Sequence, residues 1–351
     1  MKTKSLLSLS LLLALGCGVT LSAADLIKAD NSTALNTAGS YTDPLATPSN
    51  ADWVVFDDTF ATTTDTIVVG GASMRGLRII NPGNDVTLTL GNSTSSIGVN
   101  NSVGGSIDLS SATRNLTVNS SGAFGALRMY GAASTIAVAE GRVLTVNAPV
   151  FVYHSGGGSL TISGGGAVNL NGVVRDGDTG TRTTRIVHEG AGVLTLGGLN
   201  TYTGGTAVSG GTVAISQDFA MSGMNAIGIN AAAGTHGEIT FAGSVLTLGG
   251  SLQLDLAGIF SEGGTFDLID LGAGIAAGGF SEVSIAGSYV AELTNNGAGV
   301  WSGVSGDTTF VFNQGSGDLM VSVSSIPEPS SAAVFAGLAG LVAVIVARRR
   351  N

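Results

Sequence analysis

The chain has 351 residues, a formal net charge of −10 and 11% charged residues, against about one-quarter in a typical globular domain. Glycine is abundant (55 residues), and aromatic residues make up only 5%. Between Asp25 and Ile326, nine basic residues face 23 acidic ones, so the surface repels phosphate, which argues against nucleic acid as a partner.

The first 24 residues have the three parts of a secretory signal peptide, which predicts export by the Sec machinery. Two lysines form a basic n-region, the apolar h-region Leu6–Leu15 follows, and small residues predict cleavage after Ala24. A lipoprotein leader is the alternative, because a glycine precedes Cys17, which would then be lipidated. Since Cys17 is the only cysteine, the mature chain has no disulfide and no thiol nucleophile.

Residues 25–56 are predicted to form an N-terminal segment that caps the body, with Trp53 covering the first coil. The body, residues 57–256, consists of short segments in which Val, Ile or Leu alternates with Thr, Ser or Asn, a period of two that is typical of strands. Glycine-rich turns separate them. The predicted strands are Thr66–Val69, Val86–Leu90, Ser106–Leu109, Asn115–Val118, Thr135–Val138, Val143–Val146, Ser159–Ile162, Ala167–Leu170, Val193–Leu196, Thr206–Val208, Thr212–Ile215, Glu238–Phe241, Val245–Leu248 and Ser251–Leu256.

Strands at this spacing are compatible with a sandwich, a barrel or a solenoid. The solenoid is favoured because the strands are very short, glycine doublets recur between them, and the apolar positions are small branched residues that fill a narrow interior. The predicted fold is therefore all-β, a right-handed parallel β-helix with a C-terminal β cap. It is flanked by the signal peptide and a C-terminal transmembrane helix.

The segment 190–215 resembles the autotransporter-associated β-strand repeat, most recognisably in the run NTYTGGT that begins at Asn200. Physically, Leu194, Leu196 and Val208 are expected to face inward. Asn200 is expected to cap a corner through side-chain bonds to the backbone, and Tyr202 to lie across the end of the coil. The glycine pairs permit turns with positive φ.

Residues 257–325 hold most of the larger aromatic residues and are predicted to form the C-terminal β cap. A solenoid needs such a cover because its last coil otherwise exposes an apolar face. The segment resembles the closing region of secreted proteins with these repeats.

Residues 326–351 contain a short proline motif followed by an apolar segment. The motif consists of Pro327, Glu328 and Pro329. The uncharged run at 331–347 is long enough, at about 25 Å as a helix, to cross a membrane. Three consecutive arginines end this segment and would hold the C-terminus in the cytoplasm: Arg348, Arg349 and Arg350.

The order of motif, apolar run and arginine cluster resembles the PEP-CTERM sorting signal. The resemblance implies a Gram-negative bacterium, recognition and cleavage by an exosortase, and association with exopolysaccharide. A plain membrane anchor is the alternative, because it shares every feature except the proline motif.

Three histidines are the first candidates for catalysis or metal binding, but His154, His188 and His236 are separated and follow no ligand spacing. They are interpreted as solvated side chains. In the resembled repeat family, a lysine usually stands at the position of His188.

The best ion candidate is a glycine-rich turn in which Asp176 and Asp178, two residues apart, could offer oxygens to Ca²⁺. A plain surface turn is the alternative, because no third acid follows at the spacing of a calcium loop. No catalytic residue and no other cofactor is predicted. The remaining paired acids are interpreted as strand-end caps: Asp57, Asp58, Asp267 and Asp270.

These features predict a non-catalytic exported protein of the cell surface or extracellular matrix, sorted and processed by an exosortase and associated with exopolysaccharide in a biofilm. The protein would be anchored transiently in the inner membrane before processing. Two alternatives stay open: a secreted β-helix lyase or glycosidase, and an adhesin. A cleft with two acids on adjacent coils would favour the enzyme, because glycosidases need paired carboxylates.

Overall fold

The computed structural model describes residues 24–324, apart from 65, 70, 92–95, 100–104, 123–124 and 178–180. Within these ranges every regular element is a β-strand, and the chain winds into a parallel β-helix of about nine coils. The all-β solenoid fold is thereby confirmed. No helix in the described ranges is long and apolar enough to cross a membrane. The predicted signal peptide before Ala24 and the tail at 326–351 lie outside the described residues.

Each coil contributes strands to up to three parallel ladders, here called face 1, face 2 and face 3. Face 1 is the longest ladder and runs through almost the whole described chain. Its strands are Asp25–Ile27, Trp53–Phe56, Gly76–Ile79, Ser106–Leu109, Ala133–Val138, Gly158–Ser163, Thr184–His188, Thr206–Val208, Met224–Asn230, Ser251–Ala257 and Glu282–Gly287.

Face 2 is a ladder of nine parallel strands that follow face 1 in each coil. At the usual separation of neighbouring strands, nine coils extend about 40 Å. The strands are Ile67–Val69, Val86–Leu90, Leu116–Ser120, Val143–Val146, Ala167–Leu170, Val193–Leu196, Thr212–Ile215, Glu238–Phe241 and Ile269–Asp270.

Face 3 is interrupted. A first sheet of four strands and a second of three flank a stretch in which the third side of the coil is irregular, around Asn200 and Tyr202. The first sheet contains Ser73–Met74, Ser96–Val99, Ala126–Tyr130 and Val150–Tyr153, and the second contains Phe219–Ala220, Val245–Leu248 and Ile275–Gly278.

The interior is a set of aliphatic stacks that run along the axis. Alternation along each strand sends every second side chain inward, and the parallel register places like residues above one another. On face 2 one stack is aliphatic until its last member, and every member is buried. It contains Ile67, Leu88, Val118, Val146, Leu170, Leu196, Ile215 and Phe241.

The outward side of face 2 is polar and regular. One axial row is dominated by threonine and contains Thr87, Thr117, Thr145, Asn169, Thr195, Ala214 and Thr240. Beside it, Asn147 donates to Asn119 Oδ1 at 2.7 Å, and Asn171 donates to Asn147 Oδ1 at 2.8 Å. Stacked amides of this kind add side-chain hydrogen bonds to the backbone ladder.

Coil size is not constant. Partners in adjacent coils are 28 residues apart at Asn119 and Asn147, but only 19 apart at Thr206 and Asn225. Gly205 lies beside this short step with φ of 93°, and a side chain there would overlap the backbone of Met224 in the next coil. Only glycine satisfies both conditions.

The C-terminal end is covered by antiparallel strands, as expected for the region 257–325. Trp301, Phe310 and Phe312 are buried beneath them. The strand Gly264–Asp267, which lies in sequence between strands of the last coils, pairs antiparallel with the final strand of the cap, Asp318–Val323. The other strands of this cap are Ala291–Asn295, Val300–Ser305, Thr308–Asn313 and Asp318–Val323. Outside the cap, the short strand Thr235–His236 pairs antiparallel with the face 1 strand Met224–Asn230.

The parallel ladder is longer than the predicted range 57–256. Trp53, expected to cover the first coil, points outward from the second strand of face 1, because the alternating register sends Val54 inward instead. Its ring packs over Gly76 and lies 4.4 Å from the guanidinium of Arg78. Leu35 and Tyr41 are buried at the N-terminal end in its place.

Candidate functional site

The predicted repeat forms one of the short coils. Leu194, Leu196 and Val208 are buried, as expected, and continue the stacks of face 2 and face 1. The two faces are joined by tight glycine turns, and Gly211, like Gly205, has positive φ. The local fold therefore follows from alternation in the strands and from glycine in the turns.

Asn200 occupies the corner between face 2 and the irregular third side. It is 7% exposed, and its Oδ1 accepts a hydrogen bond from Val174 N, in the preceding coil, at 2.8 Å. The expected corner cap is confirmed. Within the described residues its buried Nδ2 has no partner.

Tyr202 closes the short coil from inside. Its ring is 2% exposed and lies 5.1 Å from the ring of Phe219, and its hydroxyl shares a hydrogen bond of 2.7 Å with Thr206 Oγ1. Burial raises the pKa of this phenol well above its usual value. Thr206 N in turn donates to Asn225 Oδ1 at 3.0 Å, and Asn225 Nδ2 donates to Ser251 O at 3.2 Å. Buried hydrogen bonds thus link three successive coils.

The interpretation of His188 as a solvated residue is wrong. The side chain is 1% exposed and lies in the aliphatic stack of face 1, between Ile162 and Val208. Its Nε2 lies 3.0 Å from Gly192 O, whereas the buried Nδ1 has no partner among the described residues. Burial lowers its pKa, and the contact with the Gly192 carbonyl opposes that shift. The adjacent Glu189 is exposed, as alternation requires.

The other two histidines are half-buried and bind backbone carbonyls. His154 Nδ1 lies 3.0 Å from Gly157 O, and His236 Nδ1 lies 3.1 Å from Gly237 O. No group of three or more potential metal ligands is found in the described part of the chain. The histidines therefore do not come together.

Asp176, one of the two calcium candidates, connects neighbouring coils. Its Oδ1 accepts from Thr184 N at 2.7 Å and from Thr203 N at 3.1 Å, and its Oδ2 accepts from Thr203 Oγ1 at 2.6 Å. Asp178 lies outside the described residues. The described half of the pair is thus engaged as a structural carboxylate, and calcium binding stays a prediction.

A groove of about 730 Å³ lies where face 1 meets face 2, and Glu189 and Asp255 are the acids in its wall. The register along face 1 gives the separation of the two acids. His188, which precedes Glu189, is followed in its axial row by Val208, Ile227 and Leu254, one on each of the next three strands. Asp255 comes directly after Leu254 in the sequence. These acids are therefore three coils apart, not on adjacent coils. At the usual strand spacing their backbones are about 14 Å apart, so they are not the pair of acids on adjacent coils that would favour a glycosidase.

A group of acids lies at the cap. Asp267 is directly opposite Asp318 in an antiparallel pair. Partial desolvation, followed by repulsion from Asp270 and Asp318, raises the pKa of Asp267. Asp270 accepts from Gly272 N at 2.8 Å, and Asp57 accepts from Thr59 N at 2.9 Å, so these two act as the expected strand-end caps.

A cluster of arginine and aromatic side chains on face 3 was not anticipated from the sequence. Arg128 and Tyr130 point outward from one strand, and Phe151 and Tyr153 lie beside them on the next. The only available signal was that these outward positions hold arginine and aromatic residues, where face 2 holds threonine and asparagine.

Of the predicted processing and anchoring residues, only Ala24 is described. It is exposed, its backbone N donates to Asp52 Oδ1 at 3.3 Å, and the first strand begins at the next residue, Asp25. The sorting motif and the arginine cluster both stay predictions, because all their residues lie outside the described part of the chain: Pro327, Glu328, Pro329, Arg348, Arg349 and Arg350.

Comparison with known proteins gives one family match. Residues 187–215 match the family model described as Passenger-associated-transport-repeat, which confirms the predicted repeat. The chain is also similar to a protein named Adhesin BmaC autotransporter, from Brucella suis biovar 1 (strain 1330), with 33% identity over 177 residues. That alignment covers 44% of this chain but only 5% of the relative. No solved structure gives a significant match.

Proposed function

We propose that the chain is an exported, non-catalytic surface protein of the adhesin type, in which the solenoid is a rod that carries binding surfaces. The observation that supports this most is the similarity, over 177 residues, to a protein named as an autotransporter adhesin. The fold is compatible with it: backbone pairing runs the length of the coil, and the exterior of face 2 is a regular row of polar side chains.

A cell-based experiment tests the surface role. In the producing bacterium, an epitope-tagged chain should be degraded by protease added to intact cells, whereas a cytoplasmic marker protein should survive. Deleting the chain should reduce attachment to surfaces or retention in the matrix, and the wild-type copy should restore it. A tag that stays protected in intact cells, or unchanged attachment after deletion, would contradict the proposal.

The route to the surface belongs to the same proposal. Sec export through residues 1–24 is followed by recognition of Pro327, Glu328 and Pro329 by an exosortase, cleavage near that motif, and association with exopolysaccharide. Replacing all three motif residues with alanine should leave a longer product in the inner membrane. The matched control is Ser330→Ala with Ser331→Ala, which should be processed normally. Equal processing of both variants would refute sorting by this motif.

The enzyme alternative has its own test. The purified chain, incubated with polysaccharide from the producing organism, should leave the polymer length unchanged in size-exclusion chromatography. The two groove acids are on strands three apart, which supports this expectation. Measurable depolymerisation that disappears in Glu189→Gln or Asp255→Asn would replace the structural proposal with a catalytic one.

A further inference from the structure

Face 3 carries an arginine–aromatic array made of two axial rows. The first row contains Arg128 and Phe151, which are register partners, and Arg175, which follows the bridge between Val150 and Val174. The second row contains Tyr130 and Tyr153, also partners, with Arg182 lying over Tyr153. Because partners in adjacent coils are one strand spacing apart, each row extends about 10 Å along the solenoid.

The array is held together by contacts between guanidinium groups and rings. Arg175 lies 4.3 Å and Arg128 lies 5.5 Å from the centre of the Phe151 ring. Arg182 lies 3.8 Å from the centre of Tyr153, whose ring is 4.9 Å from that of Tyr130. These distances are within the range of cation–π attraction, so the guanidinium groups are positioned before any ligand arrives.

The charge of the array contrasts with that of the protein. The chain has a net charge of −10, yet three arginines meet here. Among the described residues, no salt bridge joins Arg128 or Arg182 to a carboxylate, in contrast to Arg78 on face 1, which contacts Asp25 and Asp108. The nearby Asp176 carboxylate is engaged by Thr184 and Thr203. These neutral donors leave the charge of Asp176 in place, but Arg128 and Arg182 have no carboxylate within salt-bridge distance in the described part of the chain, so the array keeps a local positive charge.

We propose that the array binds an acidic polysaccharide through its carboxylate groups, which deepens the proposed surface function by naming a ligand class. The planar fork of arginine matches a carboxylate and forms charge-assisted hydrogen bonds with it. The half-exposed tyrosines offer apolar ring surface for the C–H faces of a sugar. An extended polymer fits two rows that run along the axis. The acidic remainder of the chain disfavours a dense polyphosphate such as DNA.

Binding of the full chain, purified in mild detergent, is measured by biolayer interferometry against immobilised alginate, with dextran, dextran sulfate and duplex DNA as comparison surfaces. Alginate should bind, and dextran should not. In Arg128→Gln with Arg182→Gln, affinity for alginate should fall by about tenfold or more, because charge-assisted hydrogen bonds are lost. Replacing both arginines with lysine should retain the charge but restore only part of the affinity.

The matched control is Arg114→Gln with Arg142→Gln, which removes the same charge from residues whose guanidinium groups bind backbone carbonyls elsewhere on the coil. Its affinity for alginate should stay within about twofold of wild type, because these arginines lie outside the array.

The proposal would be overturned by equal losses in the two double variants, by full rescue with lysine, or by DNA binding as tight as alginate binding. Tighter binding to dextran sulfate would reassign the ligand to sulfated polymers and contradict the carboxylate assignment. If cells still attach normally with the array variant, the surface function stands and this ligand assignment fails.

Discussion

The interior of the solenoid is filled in two different ways, by aliphatic side chains along face 2 and by polar side chains at the corner of the repeat segment. On face 2 the inward positions are aliphatic on successive coils, as in the stack through Val146, Leu170 and Leu196. In the repeat segment, the buried corner is held by Asn200, Tyr202 and Thr206, which are joined by hydrogen bonds to each other or to neighbouring coils.

The difference separates two sources of order. Aliphatic stacks stabilise the rod but accept any branched residue of similar size, so they do not by themselves fix where a coil must shorten. Buried polar groups tolerate only the geometry that satisfies them, which specifies the coil at that point. Face 2 therefore accounts for stability, and the repeat segment for the local change in coil length.

The largest expected effect is in a second inward aliphatic row of face 2, beside the stack that contains Val146. Leu144→Ala removes a fully buried side chain between Leu116 and Val168 and should lower the free energy of unfolding by about 2–5 kcal/mol. Its neighbour Thr145 points outward, so Thr145→Ala should change that free energy by no more than about 0.5 kcal/mol. Guanidinium titration followed by circular dichroism measures both. Similar losses from the two variants would show that the inward aliphatic side chains of face 2 are not the main source of stability.

The repeat corner should respond less but more locally. Asn200→Ala leaves Val174 N buried without its acceptor and should cost about 1–3 kcal/mol. Hydrogen exchange should show the loss of protection concentrated at Val174 and in the coil that contains Tyr202. The control is Thr201→Ala, which removes an exposed side chain next to Asn200 and should leave this protection unchanged. A uniform loss of protection along the rod would contradict a local role for the corner.

A smaller effect, of opposite sign, is expected at His188. Its folded-state pKa is below the unfolded value of about 6.5, so the unfolded chain binds the proton more readily and stability falls as pH drops below 6.5. His188→Leu removes the buried unpaired Nδ1, which should raise the free energy of unfolding by about 1 kcal/mol at pH 7 and by more at pH 5.

Unfolding of wild type and His188→Leu at pH 7, 6 and 5 measures this difference. Since acids elsewhere titrate equally in both proteins, the gap between wild type and His188→Leu isolates this one group. A gap that does not widen on acidification would mean that His188 is protonated as easily in the folded chain as in the unfolded one.

Face 2 was predictable, whereas face 3 was predicted only in part, at Val245–Leu248. Val143–Val146 and Val193–Leu196 match their predicted bounds because one aliphatic and one polar side chain alternate in each. Ala126–Tyr130 and Val150–Tyr153 were missed, because arginine or aromatic residues replace the polar members of the alternation. The outward ring of Phe151 is buried because guanidinium groups from neighbouring coils, Arg128 and Arg175, cover it, a tertiary contact that no local pattern contains.

The same reasoning applies to individual site residues. The cap at Asn200 was predictable, because a side-chain amide beside a glycine turn has few other uses. The burial of His188 was missed, because polarity suggested solvent, although the residue lies two positions after Ile186 and therefore shares its inward parity. The hydrogen-bond partners of Asp176 could not be predicted from the sequence either, because only the winding of the coil brings Thr184 and Thr203 close to it.

The smallest expected effect is on the outer surface of face 2. Asn147→Ala breaks both amide hydrogen bonds of the stack from Asn119 to Asn171, but its side chain is exposed, so water replaces them. The cost should be about 0.5 kcal/mol, at the low end for a hydrogen bond. The control is Asn296→Ala, because that exposed side chain makes no hydrogen bond within the described ranges, and it should cost less still. A loss at Asn147 as large as that at Asn200 would mean that the outer amide stack specifies the coil as strongly as the buried corner does.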